Sequence, residues 1–174
     1  MGLISSDTNI WIDFYTIHCL EHPFLLEHEY YISSAAFRDE LVAPKQLAEE
    51  LKVYGLMQTD INNEELLLAL KYRNKYKGLS IYDSFALAVA KSREWILLTG
   101  DMPLRKAAKL EDVECHGVIW VYDELLRLEK ITSAEYNLAM EALITAVNVG
   151  KCRLPIPELK RRLGKYGHEK YSNR

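Results

Sequence analysis

The chain predicts an α/β fold, a three-layer α/β/α sandwich around a central, mostly parallel sheet. Two phrases carry the prediction: Ser6-Asp7-Thr8-Asn9 behind the run Leu3-Ile4, and Leu97-Leu98-Thr99-Gly100-Asp101 behind Trp95-Ile96. In each, a short apolar strand stops at a small polar residue and an aspartate, and a helical pattern follows. A third observation supports them, because short apolar runs alternate with helical segments along most of the chain.

Leu3-Ile4-Ser5-Ser6 is the first strand, and Ile10 to Leu20 is helical. The aromatic, mixed stretch from Glu21 to Arg38 reads as a short helix or loop-helix. Glu40-Leu41-Val42-Ala43-Pro44 is expected as a second strand, closed by a proline that cannot donate to a ladder. Lys45 to Tyr54, with Leu47 and Leu51 four apart, is a helix ended by Gly55. Asn63 to Tyr76 is another, stopping at Gly78. Ser80-Ile81-Tyr82-Asp83 forms a capping box that opens a helix through Lys91. Trp95 to Thr99 is continuous and apolar, as buried parallel strands are. A helix begins after Asp101 at Pro103, and Val113-Glu114-Cys115 is a last short strand. Gly117 to Leu128 and Ala134 to Val147 are helices, the second capped by Thr132 and Glu135. Pro155-Ile156-Pro157 introduces a basic terminal helix near Leu159–Leu163.

The length of 174 residues suits one domain of residues 1–150 with a basic helix and tail, residues 151–174. No apolar run reaches the ~20 residues that cross a bilayer, no signal peptide precedes the first strand, and no membrane partner is expected. Cys19, Cys115 and Cys152 form no C-x-x-C pair, and a reducing, cytoplasmic setting is expected. The net charge of −3 hides an asymmetry: residues 151–174 carry +6, which leaves −9 on the first 150. Such a molecule concentrates cations at one place and phosphate at another, unless the basic end is simply a solvated helix face.

Asp7, Asp83 and Asp101 all fall where strands meet helices, and in a parallel sheet those junctions share the rim where ligands bind. Each has an ordinary alternative: Asp7 and Asp101 as helix caps, Asp83 as a complement to the helix dipole. Taken together, clustered carboxylates repel one another unless a proton or cation lies between them. Oxygen-only ligands favour Mg²⁺ or Mn²⁺.

These blocks resemble the PIN-domain family over roughly residues 1–115. Asp7-Thr8-Asn9 is similar to its opening signature, and Glu49-Glu50-Leu51 to its acidic residue before a leucine. Ile81-Tyr82-Asp83-Ser84-Phe85-Ala86-Leu87-Ala88 is similar to its aspartate-led, alanine-rich helix, and Leu97-Leu98-Thr99-Gly100-Asp101 to its strand with Thr/Ser-x-Asp. The resemblance implies a Mg²⁺- or Mn²⁺-dependent ribonuclease acting on RNA phosphodiesters. Asp7, Glu50, Asp83 and Asp101 are then the catalytic and metal-binding acids, with Asn9 and Thr99 as supports and Asp13 and Asp60 as bystanders. The choice of Glu50 over Glu49 rests on the leucine. Gly117, Leu125 and Leu126 resemble a prokaryotic subset with further C-terminal helices, longer than the compact PIN toxins. An antitoxin protein and a homodimer are the partners this implies.

Lys45, Arg105, Lys106 and Lys109 are candidates for phosphate attraction, against a plain solvated face. Tyr30, Tyr31, Phe37, Tyr72 and Tyr76 are candidates for base stacking, against a role in the core, and Tyr72, Arg73, Lys75 and Lys77 make a mixed patch. His18 and His22 have helical zinc spacing but lack a third ligand. A haloacid-dehalogenase-type phosphatase needs an acid where Asn9 stands. The non-enzymatic alternative is a PIN-like nucleic-acid- or partner-binding module that is catalytically silent.

Overall fold

The central strand of the molecule is its first. In the computed structural model, which describes residues 2–166 without the side chains of residues 45, 165 and 166, β1 (Leu3–Ser6) pairs in parallel with both β2 (Glu29–Ser33) and β4 (Ile96–Leu98). β3 (Met57–Thr59) extends the sheet beyond β2, and β5 (Cys115–His116) beyond β4, all parallel. The strand order is β3-β2-β1-β4-β5. The chain therefore builds outward from β1 in one direction and then crosses over to build in the other. The loops leaving β1 and β4 diverge at that switch point and open a crevice at the carboxyl ends.

Helices cover both faces, which completes the α/β/α sandwich. On one side α4 (Asn63–Lys75), α5 (Ile81–Arg93) and α6 (Met102–Leu110) pack a core that includes Tyr72, Leu87, Leu97 and Leu104. The other side carries α1 (Thr8–Thr16), α2 (Ser34–Asp39), α3 (Lys45–Tyr54), α7 (Val118–Arg127), α8 (Ser133–Asn148) and α9 (Ile156–Tyr166). Its core includes Ile4, Trp11, Tyr30, Leu98, Tyr122 and Leu159. Leu97 and Leu98 thus serve opposite faces, as successive strand residues must. The serines of β1 are buried but paired: Ser5 donates to Ala86 O (3.0 Å), and Ser6 donates to Tyr31 O (2.9 Å) and accepts from Trp11 Nε1 (2.9 Å).

The capping boxes at Ser80/Asp83 and Thr132/Glu135 form as expected, and Gly55 ends α3 in the left-handed region at φ 115°. The second strand is not where the sequence placed it. Glu29–Ser33 takes the seat beside β1, whereas residues 40–44 form the end of α2 and a turn. A strand between two others is buried on both faces, and Tyr30, Ile32 and Ser33 meet that condition while Val42 is 59% exposed. β3 had no expectation, being three residues with an exposed Met57 and Gln58. The last strand lies slightly later than Val113–Cys115. Of the basic segment 151–174, residues 167–174 lie outside the described residues.

Candidate active site

The register between β1 and β4 sets Ser6 against Leu98, and Asp7 N donates to Leu98 O at 3.0 Å. Asp7 and Thr99 therefore leave the sheet side by side. Thr99 Oγ1 donates to Asp7 Oδ2 at 2.9 Å and accepts from Asp101 N at 3.0 Å, so one hydroxyl ties the two strand ends together. Both residues are buried, Asp7 to 4% exposure and Thr99 completely.

Capping accounts for the three aspartates unequally. Asp83 Oδ2 accepts from Ser80 N (2.6 Å) in the box that starts α5, and Asp101 Oδ1 accepts from Leu104 N (2.8 Å) at the start of α6. Asp7 precedes α1 but makes no side-chain cap bond. Helix capping thus explains one oxygen each of Asp83 and Asp101, and neither oxygen of Asp7.

Electrostatics single out the same residue. Burial first, and then the nearby Asp83 and Glu40 carboxylates, push the Asp7 carboxyl up to about 7 against the opposing hydrogen bond from Thr99. Glu40, at the end of α2, is also raised, by burial and then by Asp83 and Asp39, while Thr8 Oγ1 donates to its Oε2 at 2.7 Å. Asp7, Glu40 and Asp83 thus feel one another as like charges. No lysine, arginine or histidine pairs with any of them, or with Asp101, among the described residues. An all-oxygen, uncompensated set of this kind fits a hard divalent cation in its donor chemistry. Its side chains are not yet gathered: among the described residues no three His, Cys, Asp or Glu groups stand close enough together to hold a metal ion.

Asn9, in the first turn of α1, is exposed, with Nδ2 a loose 3.4 Å from Asp7 Oδ2. Glu50 is exposed on α3 and forms no hydrogen bond or ion pair with a described residue, while its neighbour Glu49 pairs with Lys52 at 3.1 Å. Besides Asp83, the acid whose charge reaches Asp7 is Glu40, which the sequence reading of residues 40–44 as a strand does not single out. With β2 at Glu29–Ser33, Glu40 falls at the end of the next helix, above the rim. Asp13, read as a bystander, is buried beside the site, its carboxyl raised by burial against a hydrogen bond from Cys152. A Cβ on Gly100 would stand 3.0 Å from Asp13 Oδ2, so a side chain here would crowd that carboxyl and make it shift by a few tenths of an ångström. Asp13, Asn9 and Asp101 line a cleft of about 430 Å³, to which Lys151 and Arg153 also contribute. Asp60 lies elsewhere, accepting from Ser34 Oγ at 2.7 Å.

Of the cationic candidates on α6, Lys106 and Lys109 are exposed. Arg105 is half-buried and donates to Thr99 O at 3.2 Å. The side chain of Lys45 lies outside the described residues. His18 sits beyond the end of α1 at φ 56°, so it shares no helical face with His22, which contacts the Tyr122 hydroxyl at 3.0 Å. Tyr30, Phe37 and Tyr72 are core residues, and Tyr31 packs on Trp95.

A family model described as a PIN domain (DUF3368) matches residues 3–165. Comparison with curated proteins gave no match. The family match runs from the strand that delivers Asp7, through Thr99 and Asp101, to the helices beyond β5, and the chain belongs to the PIN-domain family.

Proposed function

We propose that the protein is a Mg²⁺- or Mn²⁺-dependent endoribonuclease whose acids are Asp7, Asp83, Asp101 and Glu40. The observation that carries this reading is Asp7 itself. It is buried at the switch point, aligned by Thr99, crowded by two further carboxylates and left without a cationic partner among the described residues. Desolvating like charges is unfavourable, and a protein retains such a cluster where a ligand offsets it. Asp7, Asp83 and Glu40 would hold the cation, with Asp101 reaching it from the neighbouring strand end. When bound, a divalent cation supplies water activation and offsets charge on the phosphate under attack. The chain's own part is alignment. Thr99 Oγ1 donates to Asp7 Oδ2, with Asn9 Nδ2 at a looser 3.4 Å from the same oxygen, which holds the carboxylate in one orientation at the strand end. Glu50, the sequence candidate, takes the place of Glu40 in this proposal only if its substitution abolishes cleavage.

RNA as substrate rests on family membership, as do an antitoxin partner and a homodimer. The free thiols of Cys19, Cys115 and Cys152 suit a cytoplasmic setting, and no helix among the described residues is long and apolar enough to cross a membrane. A second reading, a PIN-like module that binds without cutting, draws on the ungathered state of the carboxylates. Both are tested by incubating labelled single-stranded and structured RNAs with Mn²⁺, Mg²⁺ or EDTA, alongside an Asp7→Asn/Asp83→Asn variant purified identically. Metal-dependent cutting that the variant lacks supports the nuclease. Metal binding without cutting of any RNA supports the module.

A further inference from the structure

The segment between α8 and α9 enters the acidic cleft, although it lies far along the chain from every motif of the site. Lys151 N and Cys152 N both donate to Ala146 O (2.8 and 3.3 Å), which folds the segment back against the end of α8. Cys152 is buried at 4% exposure and hydrogen-bonds Asp13 from α1. This anchor sits between two exposed cations, Lys151 and Arg153, and holds both on the wall of the cleft that contains Asn9, Asp13 and Asp101. Arg153 also lines the adjoining cleft of about 450 Å³, where Arg105, His116 and Trp120 lie.

Position in the cleft, together with unpaired side chains, sets these two cations apart from the described arginines of α9. Arg162 is held by Asp123 (2.7 Å) and Glu158 (2.6 Å), and Arg161 by Glu158 (2.8 Å). The side chains of Lys151 and Arg153 form no hydrogen bond or ion pair with a described residue. They stay unpaired in a cleft that has carboxylates on its other wall, which is the arrangement expected where an anion lies between a cation-binding acid cluster and fixed positive charge.

We propose that Lys151 and Arg153 form a clamp for the phosphodiester backbone of a single RNA strand, holding it across the Asp101 side of the acidic site. The clamp rests on the nuclease reading for its substrate class but not for its physics. Each cation takes one phosphate, and the Cys152 anchor fixes their spacing.

The test is fluorescence anisotropy of a labelled single-stranded oligoribonucleotide of mixed sequence with the full-length protein, in EDTA so that cleavage is silent, over a salt series. A Lys151→Ala/Arg153→Ala variant is compared with Lys71→Ala/Lys130→Ala, which removes equal charge from exposed positions outside the cleft. The clamp predicts roughly a tenfold weaker affinity at moderate salt. It also predicts a log K against log salt slope shallower by about 1.4, since each single-strand phosphate contact contributes about 0.7. The control variant keeps the wild-type slope. Unchanged affinity and slope in the clamp variant, or equal losses in both variants, overturn the clamp while leaving the nuclease intact if wild type still cuts. Binding that follows the clamp pattern in a protein that never cuts keeps the clamp and overturns the nuclease. A wild type that neither binds nor cuts RNA overturns both.

Discussion

Thr99 and Asp7 lie 92 positions apart in the chain and share a buried 2.9 Å hydrogen bond. Its direction is determined by a third group. Asp101 N–H donates to the same hydroxyl, so the single hydroxyl hydrogen of Thr99 is free to point at the carboxylate. The end of β4 therefore holds the acid at the end of β1 and orients the loop that carries the next acid. Parallel pairing alone brings the strand ends together; the threonine makes them one unit.

Thr99→Val conserves shape and removes that hydrogen. It leaves Asp7 Oδ2 without its buried donor and Asp101 N–H without its acceptor. Stability measured by urea unfolding is expected to fall by about 1–3 kcal/mol. The Asp7 carboxyl should also titrate higher than in wild type, since the Thr99 bond favours the charged form. An NMR titration in which Asp7 is unmoved in the variant would show that the bond does not tune it.

Asp7 also makes metal-free stability depend on pH in an unusual direction. Its carboxyl is raised from 3.8 to about 7 in the folded state, so between those values the folded protein binds more protons than the unfolded chain. This contribution is fully present below about pH 4 and is lost as pH rises to about 7. In EDTA, Asp7→Asn should be more stable than wild type above pH 7, by about 2–4 kcal/mol, and the gap should close towards pH 4. Saturating Mg²⁺ or Mn²⁺ should stabilise wild type and not the variant. Parallel melting curves across the pH range would refute the buried-charge account.

The sequence made the rim legible because the strand-Asp and strand-Thr-x-Asp phrases are local: an apolar run, its end and the following helix are read within a few residues. The capping boxes at Ser80 and Thr132 were legible for the same reason. What escaped depended on pairing. β2, with Tyr30 and Tyr31, lies in a stretch without clean alternation, so Glu40-Leu41-Val42-Ala43-Pro44 reads as the better strand and Glu40 as part of the sheet rather than of the rim. The burial of Asp13 beside the cleft escaped because its surroundings come from Gly100 on another strand end and Cys152 after α8, contacts that leave no periodic trace. Asp83 and Asp101 each cap a helix with one oxygen and keep the other free of hydrogen bonds to described residues, so capping uses only half of each carboxylate.

Glu40 and Glu50 can be separated directly. Glu40→Gln keeps an acceptor for Thr8 Oγ1 and removes a charge that Asp7 feels. Under the proposed function it should lower metal-dependent cleavage by more than tenfold and bring the Asp7 titration down. Glu50→Gln, at an exposed position on α3, should change cleavage by less than about twofold, as surface substitutions generally do to stability. The reverse ranking, with both variants folded, would restore Glu50 to the site.

Away from the rim, the far edge of the sheet depends on an ion pair. Glu65 is fully buried and accepts from Arg93 Nε (2.6 Å) and Nη2 (2.9 Å) and from Asn62 N (3.0 Å). Arg93 also donates to Thr59 Oγ1 (2.7 Å) and Asp60 O (2.9 Å), so one guanidinium fastens α5 to β3 and to the start of α4. Removing one partner of a buried pair leaves an uncompensated charge, and Arg93→Met is expected to cost about 3–5 kcal/mol. The Arg93 bond holds the Glu65 carboxyl below its ordinary 4.5, so the stability it brings is present above that pH and is lost as pH falls through the lowered value. In Arg93→Met the buried carboxyl instead gains from protonation. The stability gap between wild type and variant should therefore be widest near neutrality and narrow below about pH 4.5, with RNA cleavage at low temperature little changed. A gap that stays constant with pH would mean that the loss comes from packing of the arginine stem rather than from the charge of Glu65.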